Sequence, residues 1–269
     1  MGRSDSTYLH GHHDSVLRSH RWRTAENSAA YLLGHLRPGM RLLDVGCGPG
    51  TITLGLASRV GDEGVVGVDR SPEVIGEARA EAARLGRPGV RFLLGDLYAL
   101  DLPGASFDVV HAHQVLQHVP DPIRALGELR RLCRPGGIVA VRDADFGGMF
   151  WQPADLAMDE WRALYCRVAR AVGGEPDCGR HLATWARAAG FEQIELSASA
   201  WCFASPDARA WWGGLWSERL TESGFAASAQ RNGLAGRDEL ERLAATWRSW
   251  LAGPDACFIV PHVELLGRG

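Results

Sequence analysis

The sequence predicts an α/β fold, a mostly parallel sheet with helices on both faces. Apolar runs of strand length at 41–45, 65–69, 92–96, 107–111 and 138–141 alternate with helix-length segments. Strands separated by helices in this way pair in parallel. The first three runs close on an acid, Asp44, Asp69 and Asp96. The first also enters the glycine turn Gly46-Cys47-Gly48-Pro49-Gly50, with a helix opening at about Thr51. Glycine has no Cβ and tolerates positive φ, so such a turn lets backbone approach a ligand closely. A nucleotide-type ligand is its usual occupant.

Taken in order, residues 1–40 read as an N-terminal cap segment. Its first six residues are polar, and a histidine-rich turn, Tyr8-Leu9-His10-Gly11-His12-His13, follows. Thr24 caps a helix running to about Leu36, with Glu26 in its first turn and Arg37-Pro38-Gly39 closing it. Residues 41–204 form the core. The helix after Asp69 has Ser71 as its cap and Pro72 at its first position, and ends at Gly86. Asp121-Pro122 opens the next helix, and Arg134-Pro135-Gly136-Gly137 turns into the fifth strand. Lid helices are expected within 151–190, at 154–173 and 179–189, followed by a sixth strand from Phe191 to Ser197. Residues 205–254 are a helical lid insertion: one helix capped by Ser205-Pro206, and a second from Asp238 to Leu251. In the second, Leu240, Leu243, Ala244, Trp247 and Leu251 share a face. Residues 255–269 supply the last strand.

Composition sets the bounds. The 269 residues are 46% hydrophobic and 23% charged, enough for a full core in one catalytic domain with a helical elaboration. A net charge of −3 gives no global basic field to attract nucleic acid. All 29 basic residues are arginine, as GC-rich bacterial codon usage produces. The six cysteines are scattered, with no C-x-x-C and no signal peptide, and read as buried thiols of a reducing cytosol. No apolar run approaches the roughly 20 residues of a membrane span. The His10/His12/His13 cluster lacks a second ligand pair at zinc-site spacing, so no metal is expected.

The spacing of the glycines narrows the ligand. Gly46, Gly48 and Gly50 form G-x-G-x-G; the G-x-G-x-x-G of a dinucleotide site would need glycine where Thr51 stands. That counts against a nicotinamide-dependent oxidoreductase, the first alternative. Asp69 lies 19 residues beyond Gly50, where an open α/β sheet places a carboxylate on ribose hydroxyls. One such acid alone reads as a cap for the next helix; three at consecutive strand ends do not.

With those residues in view, the sequence resembles the class I S-adenosylmethionine-dependent methyltransferases, in particular the ubiquinone/menaquinone-biosynthesis-like, type 11 branch. The segments that carry the resemblance are LLDVGCGPGT (42–51), VVGVDRSPEVI (65–75), GDLYALDLPGASFDVV (95–110), VLQHVPDP (115–122) and LCRPGGIVAV (132–141). It implies a Rossmann-like seven-stranded sheet, S-adenosylmethionine as cofactor and S-adenosylhomocysteine as product. By this analogy Asp44, Gly46, Cys47 and Gly48 cradle the methionine end and Asp69 takes the ribose diol. Gly95, Asp96 and Leu97 read adenine, Arg70 stacks near it, and backbone at His113-Gln114 takes the ammonium. The methionyl carboxylate wants a cationic partner, and the N-terminal segment offers Arg18 and Arg23.

The acceptor is less defined. Enzymes of this class that methylate exocyclic or amide nitrogen carry Asn/Asp-Pro-Pro-aromatic after strand four. This chain has His111-Ala112-His113-Gln114 there, which points to a small molecule. Nine of the ten tryptophans follow residue 150, packing helices onto the sheet or lining a pocket for an apolar, ring-bearing acceptor. On the acceptor side the candidates are Tyr8, His12 and His20 of the N-terminal segment, with Phe146, Trp151 and Trp216. For a general base they are Asp145, the acid to test first, with His113, His118, Asp143 and the N-terminal His12, His13 and His20, although Asp145 also reads as a turn cap and His118 as a loop-fixing residue. A phenol or quinol, a carboxylate, an amine and a nucleophilic ring carbon such as indole or enol all stay open. So do a homodimer and a non-catalytic S-adenosylmethionine-binding protein.

Overall fold

The computed structural model describes residues 13–269. The N-terminal segment contributes α1 (Asp14–Arg21), α2 (Ala25–Ser28) and α3 (Ala30–Leu33). The single helix expected from Thr24 to about Leu36 is broken, because Ala29 leaves helical geometry at φ −136°, ψ 21°. Thr24 does cap α2, in a reciprocal pair with Asn27.

The core follows as β1 (Leu42–Val45), α4 (Thr51–Val60), β2 (Val65–Asp69), α5 (Pro72–Arg84), β3 (Arg91–Leu94) and β4 (Phe107–His113). It continues through α6 (Pro122–Leu132), β5 (Cys133–Ala144), β6 (Phe150–Gln152), α7 (Leu156–Ala171), α8 (Leu182–Ala188) and β7 (Gln193–Phe203). Helices α9 (Pro206–Glu222), α10 (Gly224–Arg231) and α11 (Arg237–Leu251) precede β8 (Cys257–Arg268). Three helices start in the same way. Ser71, Asp121 and Ser205 each accept a backbone N–H of the first turn ahead of a proline, which fixes helical φ where no donor is needed. Among the described residues, no helix is long and apolar enough to cross a membrane.

The sheet runs β3-β2-β1-β4-β5-β8, with β7 along the far side of β8. The expected seven strands are present, and β8 alone runs antiparallel to the rest. An eighth, β6, resumes the edge of β8 that β5 leaves after Ala144. The insertion holds three helices where two were expected, because Ser223 stops α9 and caps α10.

Side chains alternate between the sheet faces. Leu42 and Val65 pack under α4 and α5, while Leu43 and Val66 pack under α6 and α8. A third apolar cluster joins the insertion to the sheet and is largely aromatic. Trp161 of α7 sits edge-to-face against Trp216 at 4.6 Å and Trp247 at 4.8 Å, and Trp247 lies 5.1 Å from Phe258 of β8. Edge-to-face packing lets large rings interdigitate with favourable quadrupoles. Trp161 is fully buried, so Trp161→Ala is expected to cost about 3–5 kcal/mol of unfolding free energy in a urea melt. A loss below about 1 kcal/mol would show that this cluster does not hold the insertion down.

Candidate active site

The strand order reverses between β1 and β4, and a cleft of about 210 Å³ lies there at the carboxyl ends of the strands. The glycine turn forms its floor. Gly46 has φ +68°, and a Cβ there would clash with Val115 Cγ2. Gly48 has φ +55°, and its missing Cβ faces open space with His20 Nδ1 4.0 Å away. Asp69 spans the turn: Gly48 N–H donates to its Oδ2 at 3.1 Å and Ser71 N–H to its Oδ1 at 3.0 Å. Asp96 stands exposed at the far wall and accepts from Tyr98 N–H.

The opposite wall comes from the end of β4. His113 and Gln114 line the cleft with His118, and His20 and Arg23 close it from the N-terminal segment. Burial, reinforced by Arg23 and Arg142, drives the His113 imidazole well below its ordinary pKa. Burial, then Arg23 and Arg70, pulls His118 down to about 3. Both rings are therefore neutral at physiological pH. Burial, with Asp44 and Asp69 nearby, pushes the Cys47 thiol well up.

A second, smaller cavity of about 40 Å³ shares His20, Arg23, Gln114 and His118 with the first. Its remaining walls include Phe146, Tyr165, Trp201, Trp212 and Trp216. A polar, glycine-floored cleft and an aromatic pocket thus lie side by side.

The methyltransferase-domain family pattern matches residues 36–197, more than half of the chain. An uncharacterized methyltransferase of Schizosaccharomyces pombe is 35% identical over 268 residues, spanning 96% of this chain and 95% of that protein. The chain belongs to the class I S-adenosylmethionine-dependent methyltransferases. Nocamycin O-methyltransferase of Saccharothrix syringae is 33% identical over 197 residues, 68% of this chain and 70% of that protein. In fold, the methyltransferase resembles the YcgJ protein of Bacillus subtilis, with a TM-score of 0.60 at 17% identity, covering 90% of this chain and 98% of that one.

The cleft of this methyltransferase fits its cofactor. Val115 fills the space a side chain at Gly46 would need, while backbone at Gly48 stays bare towards the opening. Of the residues assigned to the cofactor from sequence, Gly46, Cys47, Gly48, Asp69, Arg70 and Asp96 all line it. Gly95, Leu97, His113, Gln114 and Arg23 line it as well. Asp44 does not. It is buried, with Thr53 Oγ1 donating to one oxygen and His111 Nδ1 donating to the other at 2.7 Å. Parallel pairing sets Asp44 level with His111, so the carboxylate braces β1 against β4 behind the cleft lining.

Asp145, the first choice for a base, also lies outside both cavities. Arg180 donates to it from Nε at 2.8 Å and Nη2 at 2.6 Å, and Gly148 N–H donates at 3.0 Å. Burial raises this carboxyl, but those donors more than offset it and hold it below its usual range. Asp145 therefore pins the turn between β5 and β6. On the acceptor side, Phe146 and Trp216 line the aromatic pocket, and His20 lines both cavities. Trp151 stacks on Phe258 at 5.6 Å and reaches neither cavity. Arg18 pairs with Asp14 and Glu218. Tyr8 and His12 lie outside the described residues.

Sequence reasoning missed Tyr165 and Arg219 of the pocket and did not single out Trp201 and Trp212 among the nine late tryptophans. The spacing 212, 216, 219 was the available signal, since i, i+4, i+7 is one helix face. A pH test separates bracing from catalysis at Asp145. Its folded-state pKa lies below the unfolded value, so its contribution is full above about pH 4 and is lost as pH falls through the folded value. Asp145→Asn should destabilise the protein at neutral pH in a thermal melt, with the gap to wild type closing in acid and kcat retained. Wild-type stability with lost kcat would restore it as a base.

Proposed function

We propose that the protein methylates a small, hydrophobic, ring-bearing metabolite, as in cytoplasmic secondary metabolism. The observation that carries this reading is the aromatic pocket beside the cofactor cleft, the two sharing His20, Arg23, Gln114 and His118 as lining. Phe146 and Tyr165 stack at 4.0 Å, and Trp212 stacks on Phe203 at 4.3 Å, so flat apolar faces dominate that wall. The Trp212 Nε1–H is buried with no acceptor among the described residues. The O-methyltransferase similarity supports O-methylation among the O-, N- and C-acceptors.

Bound S-adenosylmethionine supplies an electrophilic methyl group on a sulfonium. On the reading proposed here, Gly46, Cys47 and Gly48 hold its methionyl end, with Arg23 for the carboxylate and backbone at His113-Gln114 for the ammonium. Asp69 takes the ribose hydroxyls, and Asp96 with Leu97 reads adenine beside Arg70. The pocket residues align the acceptor and exclude water. Helices α7, α9 and α11 with α1 form the lid. His113 and His118 are weak bases in this setting, because burial and the nearby arginines oppose a second positive charge. Alignment, more than proton abstraction, is then the chain's contribution.

Turnover with methyl-labelled cofactor against phenols, enols, indoles, amines and carboxylic acids tests the proposal. Labelled product is expected on apolar ring-bearing acceptors, with Trp212→Ala raising the acceptor KM at least about tenfold and leaving cofactor affinity unchanged. Product confined to acyclic polar acceptors, or a Trp212→Ala variant with unchanged KM, would contradict it.

A further inference from the structure

The side chain of Gln114 is held in one orientation by a chain of hydrogen bonds that starts on β8. His262 is fully buried, and its Nδ1 lies 3.0 Å from the carbonyl oxygen of Val260. A carbonyl only accepts, so Nδ1 carries the proton and donates. Burial and the neighbouring Arg142 and Arg23 keep this imidazole well below its ordinary pKa, so it is neutral and its Nε2 carries a lone pair. Gln114 Nε2 lies 2.8 Å from that Nε2, and only the amide NH₂ can make this contact, as an amide oxygen there would set lone pair against lone pair.

The amide oxygen of Gln114 is consequently turned away from His262. It accepts no hydrogen bond from the described residues and is not sealed from solvent, and Gln114 lines both cavities where they meet. The backbone fixes the position too. Gln114 has φ +53°, uncommon for a residue with a side chain, and its N–H donates to Arg142 O at 2.7 Å. The supporting groups lie on the acceptor side: Trp201 packs on His262 at 4.4 Å, and both Trp201 and Val260 line the aromatic pocket.

We propose that Gln114, oriented by His262, is a specificity residue that reads a hydrogen-bond donor on the acceptor, selecting ring compounds that carry an O–H or N–H over those that present only a carboxylate or a bare ring carbon. The inference rests on the aromatic-acceptor reading above and narrows it. An amide oxygen is too weak a base to remove the proton, so Gln114 only orients the donor group, and the proton is released to solvent when the methyl group is transferred. His262 is a positioning residue acting through Gln114. A carboxylate would set its own lone pairs against the amide oxygen, and a ring without a donor would leave that oxygen desolvated and unpaired.

Binding, not turnover, gives the test. The protein saturated with S-adenosylhomocysteine is titrated with 2-naphthol, naphthalene and 2-naphthoate, with dissociation constants from ligand-observed NMR. In the wild type 2-naphthol should bind about tenfold tighter than naphthalene, the worth of one hydrogen bond to a partly buried acceptor. Gln114→Met should shrink the ratio to within about threefold, measured at an S-adenosylhomocysteine concentration that saturates the variant. Gln114→Asn, which keeps an amide but withdraws it from His262 and tolerates positive φ, should do the same. Equal binding of 2-naphthol and naphthalene to the wild type, including no detectable binding of either, overturns the proposal. So does 2-naphthoate binding tightest in wild type and variant alike, which would assign recognition to the pocket arginines. Failure of the wild type to bind S-adenosylhomocysteine at all would be seen before any probe is added, and would count against the cofactor cleft itself.

Discussion

The site depends on one buried carboxylate. Asp44 has no access to solvent worth the name, and both of its oxygens are taken, one by Thr53 in the first turn of α4 and one by His111 on β4. An ion of this kind survives burial only when its hydrogen bonds are satisfied. In meeting that requirement it fixes three things together: the end of β1, the neighbouring strand across the switch point, and the helix that follows the glycine turn. The turn between them is left with no freedom to collapse into the cleft. Asp69 then ties its middle through Gly48 N–H, so two carboxylates on adjacent strands define the cleft floor from opposite sides.

Around that floor the molecule keeps charge and water apart. The wall at the end of β4 is built of buried imidazoles held neutral by burial and by nearby arginines. Arg142, buried beneath them, is compensated by Glu264 and by Ser199, which accepts from Nε at 3.1 Å and from Nη2 at 3.0 Å. Asp143 is pushed up to about 7 by burial even as it accepts from Gln117 N–H. A site so short of strong bases suits a reaction whose leaving group departs neutral, where alignment and desolvation do most of the work. The tryptophan cluster extends the same apolar environment to the adjoining aromatic pocket.

Much of this was legible in the sequence, because it is encoded locally. The glycine turn, the strand-end acids and the Ser/Asp-Pro caps each occupy a few adjacent residues, and all were found. What escaped notice depends on partners far apart in the chain. Asp44 reads as a ligand contact until β4 brings His111, 67 positions later, to the same level. Asp145 reads as a base until Arg180, 35 positions on, takes its charge. Gln114 is an ordinary polar residue until His262 arrives, 148 positions away. The break at Ala29 and the short β6 follow from packing that no local periodicity reports.

The central claim is that the bent, carboxylate-braced edge of the sheet holds the adenosyl cofactor. The most direct measurement is a crystal structure of the protein grown with S-adenosylhomocysteine. The account predicts ligand density over Gly46–Gly48, its ribose on Asp69 and its base beside Asp96. Density elsewhere in the molecule, or those two side chains turned from the ligand, would contradict it.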